Sequence, residues 1–237
     1  MYGFYPGMGY GMDPTIILVL IGALLSMWAS GRVKGTFQKY SGVRSMTGMT
    51  GAEAAKRLLN SQGIYDVTVQ AVRGQLTDHY DPRTKTVNLS ESVYNQRSVA
   101  AIGVAAHECG HAIQDNVGYT PLKLRAAFVP VANFGSQLAW PLIVIGIIFG
   151  ASSFIGIGIW MFVLAVLFQL ITLPVEFNAS SRATQLLGTV GILQDQEVEQ
   201  TKKVLGAAAL TYVAAAAGSI LQLLRLIILF GGRRRDD

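Results

Sequence analysis

Charge is scarce in this 237-residue chain. Asp, Glu, Lys and Arg make up 14% of positions against 51% hydrophobic residues, and mean hydropathy is +0.40. That balance excludes an ordinary soluble domain and points to segments that lie in lipid. Cysteine is almost absent: the lone Cys109 excludes an intramolecular disulfide and fits a reducing compartment. The spans read below carry no ionisable residue up to Glu176, which leaves a transporter without support. No basic patch is interleaved with aromatics. The net charge of +5 therefore fits anchoring against anionic lipid, not nucleic-acid binding. Histidine is the last scarcity. There are three, and two fall in one short motif.

That motif is His107-Glu108-Cys109-Gly110-His111, an H-E-x-x-H pattern. On a helix, residues four apart lie about 40° apart around the axis, one turn along, so both imidazoles reach one metal. Glu108, beside the first ligand, is placed to take a proton from a metal-bound water instead of binding the metal. Val104 and Ala105 precede the motif, and Ala112 and Ile113 follow it, without charge or proline. A surface helix with a fortuitous His pair would carry Lys and Glu there. Cys109 lies about 200° round from His107, which makes it a small packing residue and not a ligand.

Three apolar blocks frame the motif. Pro14 to Ala29 is uncharged, with Asp13 before it and Arg32, Lys34 and Lys39 after it. The basic cluster follows the apolar run, which is the reverse of a signal peptide, so it reads as a transmembrane anchor. Phe128 to Val175 is long enough for two spans with a turn at Gly150-Ala151-Ser152-Ser153, Pro130 and Pro141 near the start of the first and Pro174 ending the second. Val204 to Phe230 carries Gln222 and Arg225 and leads into Arg233, Arg234 and Arg235. The basic run Arg32, Lys34, Lys39 and Arg44 makes its side of the anchor cytoplasmic, and the hairpin returns Glu176 to that side. A third full span would put the Arg tail outside. The reading preferred here packs the Ala-rich half on the catalytic domain and lays the Leu-rich half along the membrane.

Between anchor and hairpin, about ninety residues read as a small α+β domain. Thr50 and Glu53 form a capping box for a helix through Asn60, closed by Gly63. Asp66 to Val72 alternates as a half-buried strand. Leu76 to Tyr80 and Lys85 to Leu89 read as a hairpin around Asp81-Pro82-Arg83-Thr84, followed by a short helix from Ser90 or Glu91. Ser98 is the predicted N-cap of the motif helix. An open strand edge beside that helix would pair with an extended peptide and lay its carbonyl over the metal. His79 or Tyr80 would then donate to the oxyanion; the alternative is a local polar turn network with Asp78 and Asp81.

A catalytic zinc takes three protein ligands as a rule, and the only other His is His79. Glu176, the first charge after a long apolar block, is the leading candidate. Asp195, Glu197 and Glu199 sit among Gln and Lys, as on a solvated helix face.

The layout resembles the gluzincin arrangement of HtpX-type and CAAX prenyl protease-type membrane peptidases. It is more similar still to the YugP-like family of neutral zinc metallopeptidases. The similarity runs through Leu76-Thr77-Asp78-His79-Tyr80-Asp81-Pro82, Val104-Ala105-Ala106-His107-Glu108, His111-Ala112-Ile113-Gln114, Pro174-Val175-Glu176-Phe177 and Ala209-Leu210-Thr211-Tyr212-Val213-Ala214. The resemblance implies His107, His111 and Glu176 as ligands of one zinc ion per chain and Glu108 as catalytic base. HtpX-type enzymes carry Asp four residues after the ligand Glu; here it is Ser180, so Asn178, Ser180 or Asp115 takes over the support of a ligand His. Arg182 either stabilises the oxyanion or pairs with an acidic neighbour.

The expected fold is an α+β membrane protein, mostly helical, with a zincin-like catalytic domain and a small sheet. Its segments are 1–31 (N-terminal segment and anchor), 32–127 (first part of the catalytic domain), 128–175 (transmembrane hairpin), 176–203 (second part, with the third ligand) and 204–237 (Ala/Leu-rich helix and basic tail). The expected function is a multi-pass metalloendopeptidase of the cell membrane, acting on protein or peptide substrates at the cytoplasmic face. A non-catalytic membrane scaffold with a structural metal site is the alternative.

Overall fold

The computed structural model describes residues 13–231. Its elements in chain order are α1 (Ile16–Ser41), α2 (Gly51–Ser61), β1 (Thr68–Val72), β2 (His79–Asp81), β3 (Thr86–Ser90), α3 (Val99–Asn116), α4 (Thr120–Ile148), α5 (Ser152–Thr189) and α6 (Asp195–Phe230). Four of them, α1, α4, α5 and α6, are long and apolar enough to cross a membrane. The Tyr- and Gly-rich N-terminus and Arg233 to Arg235 lie outside the described residues.

The small domain forms as its local signals dictate. Thr50 and Glu53 close a reciprocal capping box on α2, which ends before Gly63 at φ +70°. The Ser98 side chain accepts from the Ala101 N–H and caps α3. β3 is central in the sheet, antiparallel to β2 (Tyr80 opposite Val87) and parallel to β1 (Val69 opposite Val87). No helix follows β3: residues 91–95 are turns, with the Val93 and Tyr94 N–H groups both returning to the Ser90 carbonyl. The sheet and α2 pack on α3, whose residues are buried almost all round.

The membrane helices differ from expectation at their ends. No helix break falls at Pro174. α5 runs through it for 38 residues, about 57 Å, well beyond a hydrocarbon core of about 30 Å, and so carries Glu176 on the same rigid rod. Pro130 and Pro141 likewise lie inside α4. Such prolines are tolerated in membrane helices because neighbouring groups re-satisfy the freed carbonyls. The α4–α5 turn falls where expected, with Gly150 at φ +66°. Small residues set the helix spacing: a Cβ on Gly158 would lie 2.8 Å from the Ala139 carbonyl oxygen.

α6 is one unbroken helix from Asp195 through Phe230, its Ala-rich and Leu-rich halves continuous, and it is long and apolar enough to cross a membrane. It runs antiparallel to α1 over the full length of that helix. Gly22 meets Gly218 midway, where a Cβ on Gly22 would lie 3.1 Å from the Gly218 Cα. Beyond that contact Arg225 pairs with Asp13 at 3.0 Å, which accounts for a charge in an apolar run. At the other end Glu197 is buried and not on a solvated face. Its carboxylate accepts from the Gln194 N–H at 2.9 Å and from the Met46 N–H at 2.8 Å, tying the start of α6 to the segment after α1.

Candidate metal centre

The geometry starts from Gly110. A Cβ there would lie 2.5 Å from the Ala179 carbonyl oxygen, so only glycine lets α5 approach α3 this closely. Ala179 is one turn beyond Glu176, and the approach brings that carboxylate to the two imidazoles of α3. Glu176 Oε2 lies 3.2 Å from His107 Nε2 and 3.6 Å from His111 Nε2. The imidazoles meet edge to face, with centroids 4.8 Å apart. The three donor atoms all fall within 4.8 Å of one another.

Each of the three is held at its other polar atom. His111 Nδ1 is 3.1 Å from Gln114 Oε1. The Gln114 amide is itself oriented, since its Nε2 donates to the Val175 carbonyl and to Asn178 Oδ1. An amide oxygen only accepts, so the His111 proton sits on Nδ1 and the Nε2 lone pair faces Glu176. His107 Nδ1 is 3.0 Å from Ser180 Oγ. Glu176 Oε1 accepts from Arg125 of α4 at 2.9 Å. Oε2 is left buried and without a hydrogen-bond partner.

A buried carboxylate oxygen with no proton donor, beside two imidazole nitrogens, is costly unless a cation sits among them. Zinc–ligand bonds of about 2.0–2.1 Å in a tetrahedron put neighbouring donors about 3.3 Å apart; the two Glu176–His separations, 3.2 and 3.6 Å, are close to that, and no two of the three donors lie more than 4.8 Å apart. The donor set fits a zinc ion. Burial pulls the His111 pKa down, but the adjacent Glu176 carboxylate and the charge of Glu108 outweigh it and hold it above the ordinary imidazole value. That excess negative potential attracts a cation.

Glu108, His107, Glu176 and Ser180 line one cavity of about 270 Å³, together with Tyr212 of α6 and Asp78 and Leu76 of the segment entering β2. Glu108 is buried. Cys109, also buried, points away toward the Ala55 carbonyl, and burial pushes its thiol pKa up.

Comparison with known proteins accords with this centre. Residues 15–231 match the family described as "Putative neutral zinc metallopeptidase". The chain belongs to that family. It is also 53% identical over 222 residues to the "Putative membrane protease YugP" of Bacillus subtilis (strain 168), covering 93% of this chain and 99% of that protein. No solved structure matches the chain.

Within this family member, the other residues singled out from the sequence lie outside the cluster. His79 is exposed, with Nδ1 2.9 Å from the Thr77 carbonyl oxygen. Asp78 accepts from the Ser90 N–H and hydroxyl and Asp81 from the Arg83 N–H, so His79, Asp78 and Asp81 each bond to a different partner and not to one another. The Tyr80 hydroxyl donates to Asp115, which also holds Lys85. That contact seats the edge strand β2 on α3 but removes Asp115 from the support of a His. Arg182 donates through Nε to Asn178 Oδ1, at 2.8 Å, and pairs with no acid among the described residues. Its influence reaches His111 only through Asn178 and Gln114.

Sequence reasoning missed Gln114, Arg125 and Tyr212 as parts of the site. Gln114 had a signal: three residues after His111 it shares that face of the helix. Arg125 is the last charge before the apolar stretch of α4. Nothing local marks Tyr212.

Proposed function

We propose that this protein is a zinc-dependent metalloendopeptidase of the cell membrane, with its active site at the cytoplasmic face. The observation that carries the reading is the convergence of His107, His111 and the unpartnered Oε2 of Glu176, with Glu108 on the same cavity wall. His107, His111 and Glu176 would hold one zinc ion per chain. When bound, zinc supplies a Lewis acid for the peptide carbonyl and lowers the pKa of water to about 7.

The chain's own groups do the rest. Glu108 accepts a proton from the attacking water and returns it to the leaving amine, which requires a carboxylate that is itself not a ligand. Arg125 and Ser180 hold Glu176 and His107 in place, and Gln114 keeps His111 in the tautomer that offers Nε2. The open edge of β2 offers backbone groups to an extended peptide, which would run past Leu76 and Asp78 toward the cavity. A larger groove of about 740 Å³ adjoins the cavity, sharing Val33, Phe37, Leu76 and Thr211 with it, and gives such a peptide room. The cytoplasmic assignment follows from Arg32, Lys34, Lys39 and Arg44, which lie at the end of α1 nearer the cluster.

The test is metal analysis paired with digestion of an unfolded protein substrate. Wild type and Glu108→Gln are expected to carry about one zinc per chain, with only the wild type cleaving. A wild type without zinc, or equal cleavage by both, would overturn the reading.

A further inference from the structure

The pair of helices α1 and α6 has two faces. One walls the metal cavity with Val33 and Phe37 from α1 and Leu205 and Tyr212 from α6. The opposite face forms a separate groove of about 810 Å³. α1 presents Arg32, Gly35, Thr36 and Lys39 to it, and α6 presents Lys203, Gly206, Ala207 and Leu210. Both sets follow the spacing i, i+3, i+4, i+7, so each is one continuous helix stripe. The stripes put small residues (Gly35, Thr36, Gly206 and Ala207) in the middle, with Lys39 and Lys203 at the end away from the apolar layer and Arg32 at the end beside it.

Three observations specify what this groove takes. It is cationic: Arg32, Lys39 and Lys203 line it, and no carboxylate does. Among the described residues, the ion pairs made by Lys and Arg involve Arg83, Lys85, Arg125, Lys202 and Arg225, and none of these three. It is open where a chain would lie, because an added Cβ on Gly31, Gly35 or Gly206 meets nothing within 4 Å. And it sits at the edge of the bilayer. Arg32 is the first charge after the apolar run of α1, Lys203 the last before that of α6, and Trp28 lies one turn deeper.

We infer that this groove binds one anionic phospholipid, its phosphate held by Arg32, Lys39 and Lys203 and an acyl chain lying over Gly31, Gly35 and Gly206. Lys and Arg near a membrane surface each strengthen attraction to anionic lipid. The glycine floor adds a shape requirement that scattered surface charge lacks. This site is independent of the peptidase reading, since it lies on the other side of the helix pair from the metal cluster.

The test uses full-length protein in a neutral detergent, with phosphatidylglycerol, phosphatidylcholine and glycerol phosphate as probes and native mass spectrometry as the readout. Wild type is expected to retain one phosphatidylglycerol in preference to phosphatidylcholine. Arg32→Gln/Lys39→Gln/Lys203→Gln should weaken retention by roughly 100-fold, given about fivefold per cation. A triple control, Lys56→Gln/Arg73→Gln/Arg83→Gln, should leave it unchanged. Gly35→Leu fills the groove without altering charge and raises helix propensity, so it should keep the unfolding midpoint and lose the lipid. Equal retention of both lipids, undiminished binding by Gly35→Leu, or glycerol phosphate binding as tightly as the lipid would each overturn the assignment. The last would mark an anion site without a lipid component.

Discussion

Glu108 and Glu176 are buried acids on facing helices, and their surroundings separate their roles. Glu176 has one oxygen committed to Arg125 and the other aimed between two imidazole nitrogens, while Glu108 makes no hydrogen bond among the described residues. Removing the Glu108 charge with Gln therefore leaves the donor set intact. We expect bound zinc to stay near stoichiometric in Glu108→Gln while hydrolysis disappears into background, read by metal analysis and a proteolysis assay. Supports of the ligands should behave differently. Gln114→Ala or Ser180→Ala removes the partner of one imidazole Nδ1, which should lower zinc affinity about 10–100-fold in a chelator competition. An unchanged affinity in both would show that the imidazoles are positioned by packing alone. Of this set, the two His and Glu108 were legible in the sequence because one helix turn relates them. Gln114 was legible in principle by the same periodicity. Arg125 was not, because 51 residues separate it from Glu176 and only the packing of α4 on α5 brings them together.

At the scale of elements, the approach of α5 to α3 is the vulnerable joint. Gly110→Ala would drive a Cβ into the Ala179 carbonyl, a backbone atom that cannot swing aside. The expected cost is about 1–3 kcal/mol of stability, together with weaker zinc retention as Glu176 is displaced. Thermal unfolding with and without added zinc separates the two effects. α2 offers a cleaner test of a local signal. The hydrogen bonds from Thr50 hold the Glu53 carboxyl below its ordinary range. A depressed folded-state pKa adds stability that is fully present above the unfolded value, about 4.3, and is lost as pH falls through the folded one. Glu53→Gln preserves the cap's shape and removes the titration, so its unfolding midpoint should fall less than that of wild type between about pH 6 and about pH 3. These elements were read correctly because caps and alternation are local. The parallel pairing of β1 with β3 and the passage of α5 through Pro174 were not, since both are decided by what packs alongside.

For the whole molecule, the pairing of α1 with α6 decides the topology. Asp13 and Arg225 meet at one end of the bundle, while Met46 and Glu197 meet at the other. If α1 crosses the bilayer, α6 crosses it in the opposite direction. Single cysteines placed in a Cys109→Ser background at Ala151 and Gly231 should then react with a membrane-impermeant thiol reagent from one face of sealed vesicles. A cysteine at Gln62 should react from the other. Labelling of Gly231 and Gln62 from the same face would contradict four crossings. The charge rule applied to Arg233, Arg234 and Arg235 favours the opposite outcome, and the labelling pattern decides between the two.

The amino-acid sequence alone determined the chemistry on offer: a helix with two imidazoles and a carboxylate at the right spacing, apolar runs of membrane length, and a carboxylate at the end of one of them. Those properties depend on neighbours within a turn or on composition, so no fold is needed to read them. Tertiary structure decided how the carboxylate arrives, which partners hold the other polar atom of each imidazole and of Glu176, and how the last helix pairs with the first. Those depend on close packing between helices distant in sequence, where one missing Cβ at Gly110 or one half-buried ion pair at Arg225 outweighs any local preference.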